Sequence, residues 1–146
     1  MFKNLLLFFI LTSAVASAQV DNQMRYTSDS RQYFIWSDAS NSYVLRETEY
    51  EHSTIDIREL GSKSNGYVTI AMVDDGLSRL FHGSITAYSV NEKGEPTWQL
   101  RSKIMKAKLT FNPESKTLTY VYDANDKRYQ RIMVYNLKTA EDQAAK

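Results

Sequence analysis

The residues best suited to chemistry lie close together in the stretch 72–84, MVDDGLSRLFHGS. Its adjacent aspartates, arginine and histidine could bind a divalent cation or act as a general acid and base. The triplet Asp-Asp-Gly is also a strong turn signal, because aspartate side chains bond to nearby backbone amides and glycine tolerates a positive φ. We therefore predict that residues 74–76 form the solvated turn of a hairpin and carry no catalytic or metal-binding role.

The register of this hairpin decides which face of each strand is buried. A two-residue loop would pair Met72 with Arg79 and mix apolar and charged residues on one face. We therefore predict a three-residue loop over 74–76, which turns His82 toward an apolar interior. A polar group in such an interior could orient a ligand, or it could be a semi-buried histidine bonded to Ser84 or to the backbone. The predicted ligand-binding residues of this hairpin and its extension are Val68, Ile70, Leu80, His82 and Tyr88.

A second group of candidate residues is the acidic run 46–52, RETEYEH. A period of two places Glu47, Glu49 and Glu51 on one face of a strand, where three carboxylates could hold a cation. The spacing is not that of a calcium-binding loop. Lysines of another strand can supply the opposite charge: Lys103, Lys106 and Lys108. We predict solvated ion pairs here, and neither a metal site nor an acid–base pair.

The last hairpin is rich in tyrosine. A four-residue loop, 124–127, would place Tyr122 opposite Tyr129 and Tyr120 opposite Arg131. The shared face would be either a core edge with an aromatic ladder and a cation–π contact, or a stacking platform for a sugar, a peptide or a base. We include these four residues among the candidate ligand-binding residues.

Motifs typical of several enzyme classes are absent from the sequence. It contains no Gly-x-Ser-x-Gly motif, no phosphate-binding loop and no dinucleotide-binding glycine pattern. Cysteine is also absent, which excludes a thiol nucleophile, a thiolate metal site and thiol redox chemistry. A serine, a histidine and an aspartate could still meet in the folded chain. We predict no catalytic residue, no metal and no cofactor, and we expect the protein not to be an enzyme.

The middle of the chain alternates apolar and polar residues and is rich in Tyr, Val, Ile, Thr and Phe, which is typical of half-buried β-strands. The predicted strands are 32–37, 42–51, 54–60, 66–73, 77–90, 97–111, 117–122 and 128–136. Short connections favour antiparallel neighbours, so about eight strands predict a small all-β barrel with meander topology. A two-sheet β-sandwich is the alternative. The apolar phase changes between Ile104 and Met105, which predicts a bulge in the sixth strand.

The first 18 residues are typical of a cleaved secretory signal peptide. They combine a positive charge at Lys3, a short apolar run and the small-residue pattern Ala16-Ser17-Ala18. The run is shorter than the ~20 apolar residues that span a bilayer, and no later segment is apolar enough to do so. The other predicted divisions are a flexible lead-in over 19–31, a single β domain over 32–137 and a polar tail over 138–146.

Net charge and composition limit the classes of partner and the cellular compartment that we expect for this protein. Without the signal peptide the chain has 17 basic and 17 acidic residues, so no net field draws it to nucleic acid or to an anionic membrane. The absence of cysteine and of Asn-x-Ser/Thr sites favours export in a bacterium, to the periplasm or out of the cell. We expect a non-catalytic binding module with a small apolar or amphipathic ligand in its barrel or cleft. The alternative is an envelope or secreted protein-interaction or structural domain with a filled core.

Overall fold

The computed structural model of the protein describes residues 21–138, and its regular structure there is almost entirely β. The strands are β1 (Asp21–Ser37), β2 (Ser42–Glu49), β3 (Ser53–Leu60), β4 (Ser62–Asp74), β5 (Leu77–Val90), β6 (Pro96–Arg101), β7 (Lys106–Asn112), β8 (Thr117–Asp123) and β9 (Arg131–Leu137). A 3-10 turn, Lys127–Tyr129, lies between β8 and β9. No helix within the described range is long and apolar enough to cross a bilayer.

Backbone hydrogen bonds close the sheet into a barrel. From β3 to β9 each strand pairs with its successor in antiparallel fashion, and β1 pairs with both β3 and β9. The barrel therefore has eight strands, and β2 lies as an additional strand beside the second half of β1. The predicted antiparallel β-barrel is confirmed. The β-sandwich alternative does not apply, because β1 and β9 complete the ring of strands.

The 17-residue strand β1 makes this closure possible. Residues 21–28 pair with β3 and residues 31–37 pair with β2, while residues 28–34 pair with β9 on the opposite edge. The prediction of a flexible lead-in is therefore wrong from Asp21 onward. Polar composition hides the strand pattern there, since Ser28 is one of its buried positions.

Two predicted segments lie outside the described residues. They are the signal peptide, residues 1–18, and the polar tail apart from Lys138. Their assignments therefore stay predictions.

The long strand predicted over 97–111 is two strands, β6 and β7. They are joined by a tight turn in which the Ser102 amide donates to the Met105 carbonyl over 2.8 Å. The change of apolar phase at Ile104 marks this turn and not a bulge, and Ile104 is 85 % exposed. The prediction failed because the turn contains neither glycine nor proline, so its composition gives no break signal.

Alternate positions of the strands fill the barrel. The buried apolar side chains are Ile55, Ile57, Val68, Ile70, Met72, Ile85, Trp98, Leu100, Ala107, Leu109, Leu118, Tyr120, Met133 and Tyr135. At the end where β3 turns into β4, the buried carboxylate of Glu59 accepts hydrogen bonds from Asn22 at 2.9 Å and from the Trp98 indole at 3.4 Å. Tyr26 stacks on Phe111 at the same end, with ring centroids 5.6 Å apart. Side chains therefore close this end of the barrel.

The side chain of Arg31 is fully buried near the other end, although it carries a charge. Its Nε donates to the Glu49 carboxylate of β2, the residue directly opposite on the ladder. Its two other nitrogens lie 3.3 Å from Ser53 Oγ and 3.4 Å from a Glu51 oxygen, and Asp74 is 4.0 Å away. A buried charge is tolerated only where partners compensate its lost hydration. This cluster therefore ties β1 to β2, β3 and β4.

We expect Arg31→Met to lower the free energy of unfolding by about 3 kcal/mol, because carboxylates gathered around the guanidinium would lose their counter-charge. Arg25→Met is the matched control on the same strand. Arg25 pairs with Asp56 at 2.7 Å but its side chain is 62 % exposed, so its loss should cost under ~1 kcal/mol. Urea unfolding of the two variants measures the difference. Equal costs would show that the buried cluster does not hold the barrel.

Gly66 allows β3 and β4 to approach each other closely. It has a φ of 131°, and a Cβ built there would lie 1.9 Å from the Arg58 carbonyl oxygen. We expect Gly66→Ala to lower the free energy of unfolding by about 3 kcal/mol, since the backbone must move to relieve the clash. Gly61→Ala, at a φ of 74° with no atom within 4 Å of the added Cβ, should cost only about 1 kcal/mol. Thermal unfolding of both variants tests this order, and the reverse order would contradict it.

Candidate ligand-binding site

The barrel is open at the end where β4 turns into β5, β6 into β7 and β8 into β9. A cavity of about 560 Å³ lies in this opening, which we call the barrel mouth. Its lining comes from β1, β2, β4, β5, β8, β9 and two of the turns. The volume falls within the range of ~300–1,000 Å³ that is typical of small-molecule sites.

Methionine and aromatic side chains form the inner wall of the barrel mouth. Met72 and Met133 are buried, and the Tyr135 hydroxyl lies 3.3 Å and 3.7 Å from their sulfur atoms. The remaining apolar and aromatic lining is Tyr33, Phe81, Met105, Tyr122, Ala124 and Tyr129. Methionine is flexible and polarisable, so this wall can adapt its shape to an apolar ligand.

Three aromatic rings brace the wall between β5 and β8. The centroid of Phe81 lies 5.7 Å from that of Tyr120 and 5.4 Å from that of Tyr122, and the two tyrosines are 5.0 Å apart. These separations are typical of favourable edge-to-face and tilted aromatic contacts. The cluster holds β5 against β8 although no backbone ladder joins these two strands.

Some charges at the rim of the barrel mouth are paired. Arg79 forms an ion pair with Asp74, and Glu49 is held by Arg31 beneath the rim. These pairs keep the carboxylates in fixed positions and reduce their attraction for a ligand.

Other rim charges remain available. Glu47, Asp123 and Arg131 line the barrel mouth, and within residues 21–138 none of them has an ion-pair partner within 4.0 Å. Asp123 accepts a weak hydrogen bond, 3.4 Å long, from Gln130. The rim therefore offers charge of both signs to the polar part of a ligand.

Burial raises the pKa of the Tyr120 hydroxyl to about 12. It also raises the pKa of Tyr122 and Tyr135, with a further contribution from the neighbouring tyrosines. All three hydroxyls are therefore protonated at neutral pH. Tyr122 can donate a hydrogen bond within the barrel mouth, because its hydroxyl is the neutral form.

The predicted tyrosine face of the last hairpin exists, but its register differs from the prediction. Tyr122 lies opposite Arg131 and Tyr120 lies opposite Met133, a shift of two residues. The 3-10 turn Lys127–Tyr129 lengthens the loop, and a shift of two keeps the same side chains on the same face. Tyr122, Tyr129 and Arg131 line the barrel mouth, while Tyr120 lines a neighbouring cleft.

The predicted register of the hairpin at Asp74 is wrong by one residue. Its loop is the two-residue turn Asp75-Gly76, with φ angles of 51° and 74°, and Met72 does pair with Arg79. Such a turn matches the twist of the strands. The pairing of Met72 with Arg79 is tolerated because this hairpin lies at the barrel mouth. There Arg79 extends to solvent and to Asp74, while Met72 stays buried below.

The residues predicted from that register are scattered. Val68 and Ile70 lie in the core, and Tyr88 packs on Trp98 at the closed end with centroids 5.5 Å apart. Leu80 and His82 do not face the interior. Leu80 is 68 % exposed, and His82 lies on the outer face within 3.0 Å of the Thr69 hydroxyl. A ligand contact for these residues stays a prediction.

The predicted ion pairs of the acidic run are wrong in their partners. Glu49 and Glu51 pair with Arg31 rather than with the three lysines. The strand predicted to begin at residue 32 excluded this arginine, and nothing in its local sequence marks it as buried. Within residues 21–138 no three His, Cys, Asp or Glu side chains are grouped so that they could hold a metal ion.

On the outer surface, Asp29, His52 and the Thr54 hydroxyl are arranged like the acid, base and nucleophile of a serine hydrolase. His52 Nδ1 lies 3.0 Å from Asp29, and its Nε2 lies 3.4 Å from the Thr54 hydroxyl. Hydrogen bonds from His52 and Lys138 lower the pKa of Asp29 to about 2. His52 and Asp29 are more than half exposed and none of the three lines the barrel mouth. The arrangement therefore does not face the cavity of the barrel mouth.

Sequence reasoning missed the apolar wall of the site: Tyr33, Met72, Phe81, Met105 and Met133. Only the period-two pattern of their strands could have indicated that these residues face inward.

In comparisons with known proteins, no protein-family model, no curated protein and no solved structure matches this chain.

We expect the protein to lose stability in alkaline solution. An unfolded tyrosine ionises near pH 10, whereas folded Tyr120 keeps its proton until about pH 12. Above pH ~10 the unfolded chain therefore holds fewer protons, and the free energy of unfolding falls as the pH rises. Urea unfolding over this pH range measures the slope. Tyr120→Phe should make it shallower, and an unchanged slope in that variant would contradict the assignment.

Proposed function

We propose that this protein is an exported, non-catalytic binding module that holds a small amphipathic ligand in its barrel mouth. The observation that carries the proposal is the 560 Å³ cavity, in which an apolar wall meets a rim of available charges. An amphipathic molecule matches both parts. A purely polar ligand would leave the methionine and aromatic wall unused.

The apolar part of the ligand would lie against Met72, Met133 and Phe81. These side chains are held from below by Tyr135 and from the side by Tyr120 and Tyr122. A preformed apolar surface reduces the entropy that must be lost on binding.

The polar part would lie at the rim. Arg131 is the natural partner for an anionic group, because its guanidinium faces the barrel mouth without a carboxylate partner in the described residues. Tyr122 lies directly opposite Arg131 on the ladder, and its hydroxyl can donate a second hydrogen bond to the anionic group. An ammonium group would instead favour Glu47 and Asp123.

Export of the protein rests on the N-terminal sequence. The charged start, the apolar run and Ala16-Ser17-Ala18 form the pattern that signal peptidase cleaves. Together with the absence of cysteine, this supports a bacterial protein of the periplasm or the extracellular space.

The proposal is tested first with anilinonaphthalene sulfonate, an amphipathic anion whose fluorescence reports apolar sites. We expect saturable binding at one site, and Arg131→Gln should weaken it about tenfold through loss of a charged hydrogen bond. Arg128→Gln is the matched control, because Arg128 pairs with Asp126 on the same hairpin and does not line the barrel mouth. Absence of saturable binding, or equal effects of the two variants, would contradict the proposal.

Native mass spectrometry of the protein purified from the exported fraction of its host then identifies the natural ligand. A bound small molecule lost in Arg131→Gln supports the proposal. A protein that carries no small molecule but co-purifies with a second chain would support the alternative, a protein-interaction domain.

A further inference from the structure

One edge of β5 carries backbone groups without a strand partner. β5 has 14 residues but β6 has only six. Pairing with β6 begins at Ser84, whereas on the other side β5 pairs with β4 from Leu77 onward. Within the described chain no backbone hydrogen bond reaches the β6 side of residues 77–83. Such an edge is a template for another strand.

A cleft of about 400 Å³ follows this edge. One wall is β5 itself, and the other is the turn between β6 and β7 with Ile104 near its centre. Leu80 and Ile104 both line this cleft, and they are 68 % and 85 % exposed. The cleft therefore suits an extended segment with apolar side chains at alternate positions.

The cleft is bordered by positive charge where β6 ends. Arg101, Lys103 and Lys106 are exposed, and none has a carboxylate within 4.0 Å among residues 21–138. The hydroxyls of Ser84 and Thr86 lie beside Arg101 and Lys103 in an adjoining depression. These side chains favour an acidic partner. The same edge of a second copy offers no carboxylate, because residues 77–83 read LSRLFHG.

We propose that the β5 edge binds an extended acidic peptide segment of a partner protein. The segment adds an antiparallel strand along residues 77–83, in the line that β6 would follow if it continued past Arg101. This direction places the first residues of the peptide beside Ser102 and Lys103. Backbone hydrogen bonds supply the affinity of such strand addition, and the flanking side chains supply its specificity.

The test uses two blocked peptides of about seven residues, matching the ~23 Å length of the open edge. One alternates glutamate with valine and the other alternates lysine with valine. We expect only the glutamate peptide to bind, with an affinity that falls as salt is added. Hydrogen exchange should show new protection of amides within residues 77–83. Failure of the glutamate peptide to bind, equal binding of the lysine peptide, or protection confined to other strands would overturn the proposal.

Charge reversal separates specific docking from general attraction. Lys103→Glu should weaken binding of the glutamate peptide about tenfold. Lys93→Glu is the matched control, because Lys93 is an exposed lysine in the turn at the closed end of the barrel. An equal effect of both variants would overturn the proposal. So would a dimer in sedimentation experiments that protects the same amides without peptide, since the edge would then serve self-association.

Phe81 and Met105 line both cavities, so a residue that lines only the cleft must separate the two proposals. Lys103 does not line the barrel mouth, so Lys103→Glu should leave the binding of anilinonaphthalene sulfonate unchanged.

Discussion

A buried guanidinium at the point where β1 changes partners organises the open end of this barrel. Arg31 lies where β1 leaves β3 and begins to pair with β2, and its charge must be compensated inside the protein. Glu49 and Glu51 supply that compensation from β2 and the loop after it. Asp74 is shared between Arg31 and Arg79, so the same network extends to the rim. Ion pairs therefore help to shape the mouth, together with apolar packing.

The two ends of the barrel differ because the strands differ in length. At the closed end, the buried side chains of Trp98 and Glu59 meet in the interior, and Asn22 donates to Glu59 from the surface. At the open end, β4 and β5 extend well beyond β6 and β7, so in the described chain no strand lies on the β6 side of residues 77–83. This difference exposes both the methionine wall of the barrel mouth and the free edge of β5. Both of the proposed binding surfaces thus arise from one mismatch of strand lengths.

The alternation of apolar and polar residues predicted which side chains share a strand face, but it did not predict the register of strand pairing. The shared face of Tyr120, Tyr122 and Arg131 was predicted from period two alone, and it survived a register shift of two residues. At the hairpin of Asp74 the register differs from the prediction by one residue, and Leu80 and His82 therefore lie on the outer face. The rule that apolar and charged residues do not share one face of a hairpin holds for a closed core. It fails at an open rim, where a long arginine can leave the apolar face.

By itself the sequence determined the all-β class, the antiparallel order and most turns, because side-chain alternation and turn residues act over a few neighbouring positions. Only the tertiary structure decided closure through β1 and β9, the burial of Arg31 and the assembly of the barrel mouth. Arg31 and Glu49 are 18 residues apart, and Phe81 meets Tyr122 from a strand that is not its ladder neighbour. Such contacts depend on the register of every strand between them. A one-residue difference in a single loop reverses the face of a strand, and no local pattern carries that information.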